Sequence, residues 1–204
     1  MLPDLTTHDR LLDATVAVID GGGVKAVRVR EIAAEAGVRE PSVYHYFGSR
    51  DGLIEAALAA RYKRGLMQII APLRKMTLAC ETAEEFQAMI REIVSNIVAP
   101  GREDVRSVRA DVLGSAQSRP GLRQAIVDAT RESSDGIAFV IAHGQSKGWV
   151  REDINPAAFA AWYTGMVNGR IIYELDPTQC TAEAWNHVAL DATLHLLFGD
   201  SVDK

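Results

Sequence analysis

Apolar residues recur with the spacing of an α-helix along nearly the whole chain, and this regularity constrains the fold more than any other sequence feature. They stand three, four and seven residues apart, so that a helix would gather them on one face. The alternation typical of β-strands does not extend beyond a few residues. The pattern predicts an all-α protein of about nine helices. The first apolar stripe consists of Leu11, Leu12, Val16 and Ile19.

Helix-ending and helix-starting signals divide the chain into segments. The three glycines at 21–23 are expected to end the first helix, because glycine adopts positive φ at low cost. A capping box at Thr82–Glu85 predicts the start of another helix, and Asn155-Pro156 predicts the cap and first residue of a later one. Pro72 is expected to kink or end the helix that begins near Asp51.

Composition excludes several classes of protein. With 48% hydrophobic and 24% charged residues, the 204-residue chain has the balance of a soluble globular protein and not of a disordered or collagen-like one. Two cysteines, Cys80 and Cys180, are too few for a disulfide framework. The sequence has neither a signal-peptide pattern nor an apolar window of about 18 residues. We therefore expect a cytoplasmic protein with no membrane partner.

The formal net charge of −5, taken as a whole, disfavours a nucleic-acid partner. The charge is unevenly distributed along the chain, however. Residues 25–64 contain eight basic and five acidic side chains, a net charge of +3, whereas residues 65–204 contain 13 basic and 18 acidic side chains, a net charge of −5. A basic segment joined to a larger acidic body is a weak indication that the basic part binds a polyanion.

The basic segment contains the residues that a helix-turn-helix requires. Ile32 and Ala33 give a short helix a buried face with one small residue, and Gly37 permits a tight turn. Val43 and Phe47 form the apolar side of the helix that follows. Spacing alone does not distinguish a DNA-binding helix-turn-helix from an ordinary helical hairpin on the protein surface. The other side of the second helix carries five side chains that can hydrogen-bond a phosphate or a base edge: Arg39, Ser42, Tyr44, His45 and Tyr46.

The segment from about Arg10 to Leu58 resembles the N-terminal domain of the TetR family of transcriptional regulators. In that family a helix with the pattern IAxxAGV precedes the patterns [ST]-[apolar]-Y-x-[YH]-F and [KR]-[DE]-x-L, and this chain has matching residues at 32–38, 42–47 and 50–53. The resemblance implies a three-helix helix-turn-helix domain over residues 1–60. A larger helical domain for ligand binding and dimerisation would follow over residues 61–204.

The resemblance also implies roles for individual side chains. The helix that starts at Pro41 would be the recognition helix. The side chains that would contact phosphates are Ser42, Tyr44, Tyr46 and Arg50. Those that would lie near base edges are Arg39, Glu40 and His45. Arg28 and Arg30 complete the expected DNA-binding set.

Two positions depart from the family pattern. Arg28 stands where a threonine is common, and Glu40-Pro41 stands where a lysine-glycine pair is common. A glutamate near bases can accept a hydrogen bond from cytosine, but Glu40 can equally form an ion pair with Arg39 or Arg28. The sequence leaves these alternatives open.

For the larger domain, the resemblance implies a small-molecule cavity and a homodimer formed through the last two helices. Gly165 and Gly169 would permit close approach of another helix, although they can also serve packing within the chain. An apolar and aromatic lining favours a moderately hydrophobic effector. The candidate ligand-binding residues are bulky groups and isolated polar groups in apolar stretches: Met67, Phe86, Ile90, Val112, Phe139, His143, Trp162, Met166, Asn168 and Arg170.

Catalytic and metal-binding functions receive little support. His187, Asp191 and His195 have metal-ligand spacing, but half-exposed groups beside an interface are the favoured interpretation. Because the sequence lacks a nucleophile elbow, an HExxH motif and a phosphate-binding loop, we expect neither an enzyme nor a cofactor.

The leading hypothesis is a ligand-responsive repressor that binds a palindromic double-stranded DNA operator. The alternative is a protein-interaction module that binds its partner through Tyr44-His45-Tyr46.

Overall fold

The computed structural model describes residues 6–99, 101 and 103–199, and over these ranges the chain is all-α with no strand. The expected fold class and number of helices are confirmed for this part of the chain. Two short 3-10 turns lie at Val24–Ala26 and Ala116–Ser118. The helices are α1 (Thr7–Gly22), α2 (Val29–Glu35), α3 (Glu40–Phe47), α4 (Arg50–Ala79), α5 (Ala83–Val98), α6 (Glu103–Ser115), α7 (Pro120–Ser146), α8 (Pro156–Leu175) and α9 (Ala182–Phe198).

The helix ends are set by the caps that the sequence predicts. Gly23, with φ of 69°, ends α1. The Thr82 hydroxyl accepts a hydrogen bond from the Glu85 amide at 3.2 Å, and the Glu85 carboxylate accepts one from the Glu81 amide at 2.7 Å. Asn155 caps α8 through its side-chain oxygen.

Among the helices described, none is long and apolar enough to cross a membrane.

Pro72 does not end α4, so that alternative is wrong. The helix continues through Pro72 to Ala79. Proline deprives the carbonyl of Gln68, four residues earlier, of its helical partner. Both residues are exposed, so water can satisfy that carbonyl and the helix tolerates the proline.

Contacts divide the chain into two compact units. The N-terminal unit contains residues 6–64 and 112–128, and the C-terminal unit contains the described residues of 65–111 and 129–199. Helices α4, α6 and α7 therefore each contribute to both units.

The core of the N-terminal unit comes from the apolar faces of α1, α2 and α3 and of the first part of α4. α2 packs against both α1 and α3. The single residue of α3 that is buried, Val43, joins this core. The most deeply buried apolar residues of the unit include Leu11, Val27, Ile32, Ala33, Val43, Leu53, Ile54, Ala57 and Leu58.

The C-terminal unit has a core of its own in which α5 packs against α8 and α9. Gly144 in α7 makes room for Phe86, because a Cβ at that glycine would lie 2.9 Å from the Phe86 ring. The core consists of Leu73, Phe86, Met89, Ile90, Val94, Val140, Ile141, Val150, Phe159, Tyr163, Val167, Leu194, Leu197 and Phe198.

Two glycines of α4 lie in opposite environments. A Cβ at Gly52 would stand 2.1 Å from the carbonyl oxygen of Phe47, a backbone atom at the end of α3. A Cβ at Gly65 would have nothing within 4 Å. The connection between α3 and α4 therefore requires glycine at position 52, whereas position 65 does not require it.

Matched alanine substitutions test this difference. Gly52→Ala is expected to lower the free energy of unfolding by about 1–3 kcal/mol, because the backbone of α3 or α4 must move. Gly65→Ala is expected to raise it by up to about 1 kcal/mol, because alanine favours the helix. Urea unfolding at a fixed protein concentration measures both. Equal effects of the two substitutions would contradict the packing described.

Candidate nucleic-acid interface and ligand cavity

The turn between α2 and α3 determines where α3 lies. Gly37 adopts φ of 67°, in the region that favours glycine, and the Val38 amide donates a hydrogen bond to the Ala33 carbonyl at 2.9 Å. Ala33 is buried and small, which permits the close packing of α3 on α2. With Val43 anchored in the core, the opposite side of α3 faces outward.

The outward side of α3 consists of side chains that suit DNA. Tyr44 and Tyr46 are each 46% exposed, a high value for aromatic residues. Arg39, Glu40 and His45 are exposed and Ser42 is half-buried. These six candidates thus come together on one short helix and its first flanking residue. Hydroxyl, imidazole and guanidinium groups in this arrangement can hydrogen-bond phosphates and base edges.

The open question about Glu40 has a structural answer. Its carboxylate accepts a hydrogen bond from the Tyr44 hydroxyl, one helical turn further on, at 3.4 Å. In the part of the chain that the structure describes, the partner of Glu40 is therefore Tyr44 and neither Arg39 nor Arg28. Because both side chains are exposed and the bond is long, DNA can replace it at little cost.

Arg50 and Arg28 hold the backbone that precedes the helix-turn-helix. Arg50 donates from Nε to the Val27 carbonyl at 3.0 Å and from Nη2 to the Val24 carbonyl at 3.1 Å. Arg28 donates to the Lys25 carbonyl at 2.6 Å. The start of α4 is thereby tied to the 3-10 turn at Val24–Ala26. Phosphate binding by Arg50 stays a prediction, and the sequence motif gave no sign of this second role.

Part of the positive charge of residues 25–64 is neutralised within the N-terminal unit. Arg61 forms an ion pair with Asp20, and Arg64 forms one with Asp13, both from α4 to α1. These two guanidiniums therefore add little to an anion-binding surface. Arg30 and Arg39, by contrast, lie exposed on α2 and immediately before α3.

His8 is a neighbour of α3 that the sequence motif does not include. Its ring stacks on Phe47 with centroids 5.0 Å apart and meets Tyr46 edge-on at 6.0 Å. The start of α1 therefore lies beside the end of α3. No short-range pattern indicates this contact, because the two residues are far apart in sequence.

The C-terminal unit contains two small adjacent cavities, of about 50 Å³ and about 40 Å³. The first cavity has an almost wholly apolar lining of isoleucine, leucine, valine and phenylalanine side chains. The second adds Arg109, Ser133 and Thr164. Five residues line both cavities: Ile69, Ile70, Ile97, Ile137 and Tyr163.

Tyr163 is the unusual member of this lining. Its hydroxyl is buried and has no hydrogen-bond partner within the described chain. Burial raises the pKa of Tyr163, so the hydroxyl stays protonated and remains a donor. A buried polar group without a partner is uncommon in native proteins and needs an explanation.

The sequence-based ligand candidates are dispersed. Ile90 lines the first cavity, whereas Trp162 and Met166 line a surface groove between α8 and α9. Phe86 is buried in the core, and Val112 belongs to the N-terminal unit.

The remaining candidates have other neighbours. The ring of Phe139 lies 4.3 Å from the Arg74 guanidinium and stacks on His143. Asn168 accepts a hydrogen bond from Arg109 at 3.4 Å, and Met67 is half-buried.

Sequence reasoning did not identify Arg109 and Tyr163 as cavity-lining residues. The position of Tyr163 four residues after Phe159 was the one available signal.

Arg170 matches the description of a satisfied core group. It is 2% exposed, donates to Glu174 at 3.1 Å and also donates to Asn186. Its guanidinium lies 4.8 Å from the centre of the Trp185 ring. Glu174 in turn accepts from Arg106 at 2.6 Å, which links α6 to α8. These contacts favour a structural role for Arg170 over ligand orientation.

The side chains considered for a metal do not form a cluster. His187, Asp191 and His195 are all exposed on α9. Over the described ranges, no group of three or more His, Cys, Asp or Glu residues is arranged to hold a metal ion.

The helix-turn-helix region matches a known family model. Residues 11–57 match the model described as bacterial regulatory proteins, tetR family. The matched range includes α2, α3 and the turn that joins them.

The N-terminal part of the chain is also similar to bacterial repressors. It is 42% identical over 55 residues to the HTH-type transcriptional repressor KstR of Rhodococcus jostii, which covers 27% of this chain and 26% of that protein. It is 34% identical over 89 residues to the repressor KstR2 of Mycolicibacterium smegmatis, which covers 38% of this chain and 43% of that protein. The alignments span less than half the length of these relatives.

Solved structures share the fold over nearly the whole chain. A TetR transcription regulator from Haloarcula marismortui has a TM-score of 0.65 at 16% identity, covering 93% of this chain and 95% of that one. The transcriptional regulator FadR from Bacillus subtilis, in complex with stearoyl-CoA, has a TM-score of 0.60 at 21% identity, covering 93% and 97%. At these identities the likeness establishes the fold.

The backbone contacts of Arg50 lead to a testable expectation. Arg50→Ala should accelerate hydrogen exchange of the Ala26 and Val27 amides, which close the 3-10 turn, because that turn loses two hydrogen bonds from its carbonyls. The cost in unfolding free energy should be about 1 kcal/mol. Arg39→Ala removes the same charge from an exposed position and should leave these amides unchanged. Unaltered exchange in Arg50→Ala would show that the contacts do not stabilise the turn.

Proposed function

This chain belongs to the TetR family of bacterial regulatory proteins, and from that premise we propose that it represses transcription by binding DNA as a homodimer. Each subunit inserts α3 into the major groove of one half-site of a palindromic operator. A small molecule bound in the C-terminal unit releases the protein from DNA.

The observation that carries this proposal is the exposure of α3. One residue of the helix, Val43, is buried, while two tyrosines, a histidine and the preceding arginine face outward. An internal packing helix would bury its large aromatic residues. The hydroxyl, imidazole and guanidinium groups of this face are those that proteins use to contact DNA.

The proposed dimer is supported by the apolar residues that α8 and α9 leave exposed. Ile172 is 69% exposed and Val188 is 66% exposed. α9 buries Leu194, Leu197 and Phe198 in the core, so its exposed apolar residues form a second apolar face. A groove of about 380 Å³ between α8 and α9 is lined by Trp162, Met166, Cys180, Ala184, Trp185, Val188, Ala189 and Ala192.

The two glycines of α8 favour a second copy as the occupant of this surface. A Cβ at Gly165 or at Gly169 would meet nothing within 4 Å. Packing within the chain therefore does not require glycine at either position. They lie on the same side of α8 as Trp162, three residues before Gly165, and Ile172, seven residues after it. Close approach of a partner helix accounts for both glycines.

The cavities of the C-terminal unit supply the proposed effector site. A ligand that binds one arrangement of the helices more tightly shifts the population towards it. If that arrangement places the two recognition helices at a spacing unsuited to the operator, DNA affinity falls. The structural neighbour FadR, in complex with stearoyl-CoA, is consistent with ligand binding by a protein of this fold.

DNA binding can be tested with a matched pair of arginine and lysine variants. The purified chain first selects a duplex from a random-sequence pool, and fluorescence anisotropy then measures affinity at several salt concentrations. Arg39→Ala should weaken binding by roughly tenfold or more, because it removes a group beside the bases. Lys147→Ala removes the same charge from the other unit and should have little effect. Equal loss in both variants would contradict DNA binding through α3. Failure to select any duplex, or affinity that does not depend on salt, would contradict the repressor hypothesis and favour a protein-interaction module.

The dimer can be tested by placing a charge on each of two exposed valines. Val188→Glu should convert the protein to a monomer in sedimentation velocity, because it buries an unpaired carboxylate in the proposed interface. Val105→Glu makes the same change at a 43% exposed position of α6 and should leave the sedimentation coefficient unchanged. A dimer that persists in Val188→Glu would place the interface elsewhere.

A further inference from the structure

Glu40 places a carboxylate at the end of α3 that faces the bases in the proposed complex. It is the first residue of the helix, and its side chain is exposed. A helix-turn-helix contacts base edges with the N-terminal residues of its recognition helix. Phosphates line both sides of the groove, so they repel a carboxylate there and lower affinity for DNA of any sequence. A favourable contact with a base is needed to offset this repulsion.

Contacts within the chain leave this carboxylate available to DNA. The Tyr44 hydroxyl donates to it at 3.4 Å, a long bond between two exposed side chains. Over the described ranges Tyr44 is its one hydrogen-bond partner, and the neighbouring Arg39 forms no ion pair with it. A carboxylate accepts several hydrogen bonds through its two oxygens, so Glu40 keeps acceptor capacity for a base.

The donors and acceptors of the major groove favour one base for such a group, because a carboxylate accepts hydrogen bonds and donates none. Guanine presents two acceptors and thymine presents one. Adenine presents a donor beside an acceptor, whereas cytosine presents its N4 amino donor alone. Cytosine is therefore the base that offers a donor to the carboxylate without an adjacent acceptor that repels it.

We propose that Glu40 determines sequence specificity by accepting a hydrogen bond from the N4 amino group of a cytosine in each half-site. This inference rests on the proposed insertion of α3 into the major groove and names a base that α3 recognises. With cytosine, the hydrogen bond offsets the repulsion by phosphates. With another base, the carboxylate loses water without gaining a matching partner, so binding weakens. Glu40 thus contributes more to discrimination between sequences than to affinity.

Replacement of the carboxylate by an amide tests this role, because glutamine combines a donor and an acceptor and therefore prefers adenine. The unmodified chain and Glu40→Gln each select duplexes from a random-sequence pool. Fluorescence anisotropy then measures binding to the selected half-site with each base pair changed in turn. The unmodified chain should select cytosine at one position, and replacing that base should weaken binding about tenfold. Glu40→Gln should select adenine there and keep the bases at the other positions.

A matched control separates this effect from a general effect of charge. Glu35→Gln makes the same change at an exposed glutamate of α2 and should select the same sequence as the unmodified chain.

Glu40→Ala separates recognition from repulsion, because it removes both the acceptor and the negative charge. Discrimination at the cytosine position should fall to about twofold or less, since the hydrogen bond is lost. Binding to a duplex of unrelated sequence should tighten at low salt, since a charge of the same sign as the phosphates is removed. The melting temperature should stay unchanged, because the side chain is exposed.

Failure of this inference is distinguishable from failure of the proposed function. Selection of the same sequence by Glu40→Gln and the unmodified chain, or undiminished preference for cytosine in Glu40→Ala, would overturn the role of Glu40 while DNA binding remains. A chain that selects no duplex would contradict the proposed function, and the role of Glu40 with it.

Discussion

The packing of α3 on α2 through Val43 is the interaction on which the functional account depends. α3 is eight residues long, too short to be stable alone, so its position comes from the Gly37 turn and from contact with α2. Because one side chain provides its anchorage in the core, most of the surface of α3 is left for contacts outside the chain. The contact of Gly52 with the end of α3 and the hold of Arg50 on the preceding turn keep this helix in place.

The small positive charge near α3 connects the proposed DNA interface with the proposed dimer. Ion pairs with α1 neutralise Arg61 and Arg64, and Arg50 donates to backbone carbonyls, so the positive surface near α3 is modest. Affinity of a protein for DNA grows with the number of phosphates that it neutralises, so the proposed DNA complex requires more than one such surface. Two units on one duplex multiply their contacts. In the proposed homodimer, the exposed apolar residues of α8 and α9 therefore serve DNA binding as well as assembly.

The sequence predicted the helix caps and the helix-turn-helix, which depend on residues close together in the chain. It did not predict the cavity lining or the contacts of Arg50, which depend on residues far apart in the chain. Caps at Thr82 and Asn155, and the helix-turn-helix itself, follow from short patterns. The cavity lining does not, because it depends on which side of each helix meets a partner. Trp162 and Tyr163 are adjacent, yet Trp162 lines the groove between α8 and α9 and Tyr163 lines the two smaller cavities. The Arg50 contacts likewise span more than twenty residues of chain, beyond the reach of any local pattern.

Hydroxyl-radical footprinting of the chain on the duplex that it selects tests the central claim most directly, because it maps the number and spacing of recognition helices on DNA. The account predicts two protected patches on one face of the duplex, with centres separated by about 10 base pairs or a multiple of that distance. A single isolated patch, or protection without a preferred face, would contradict it.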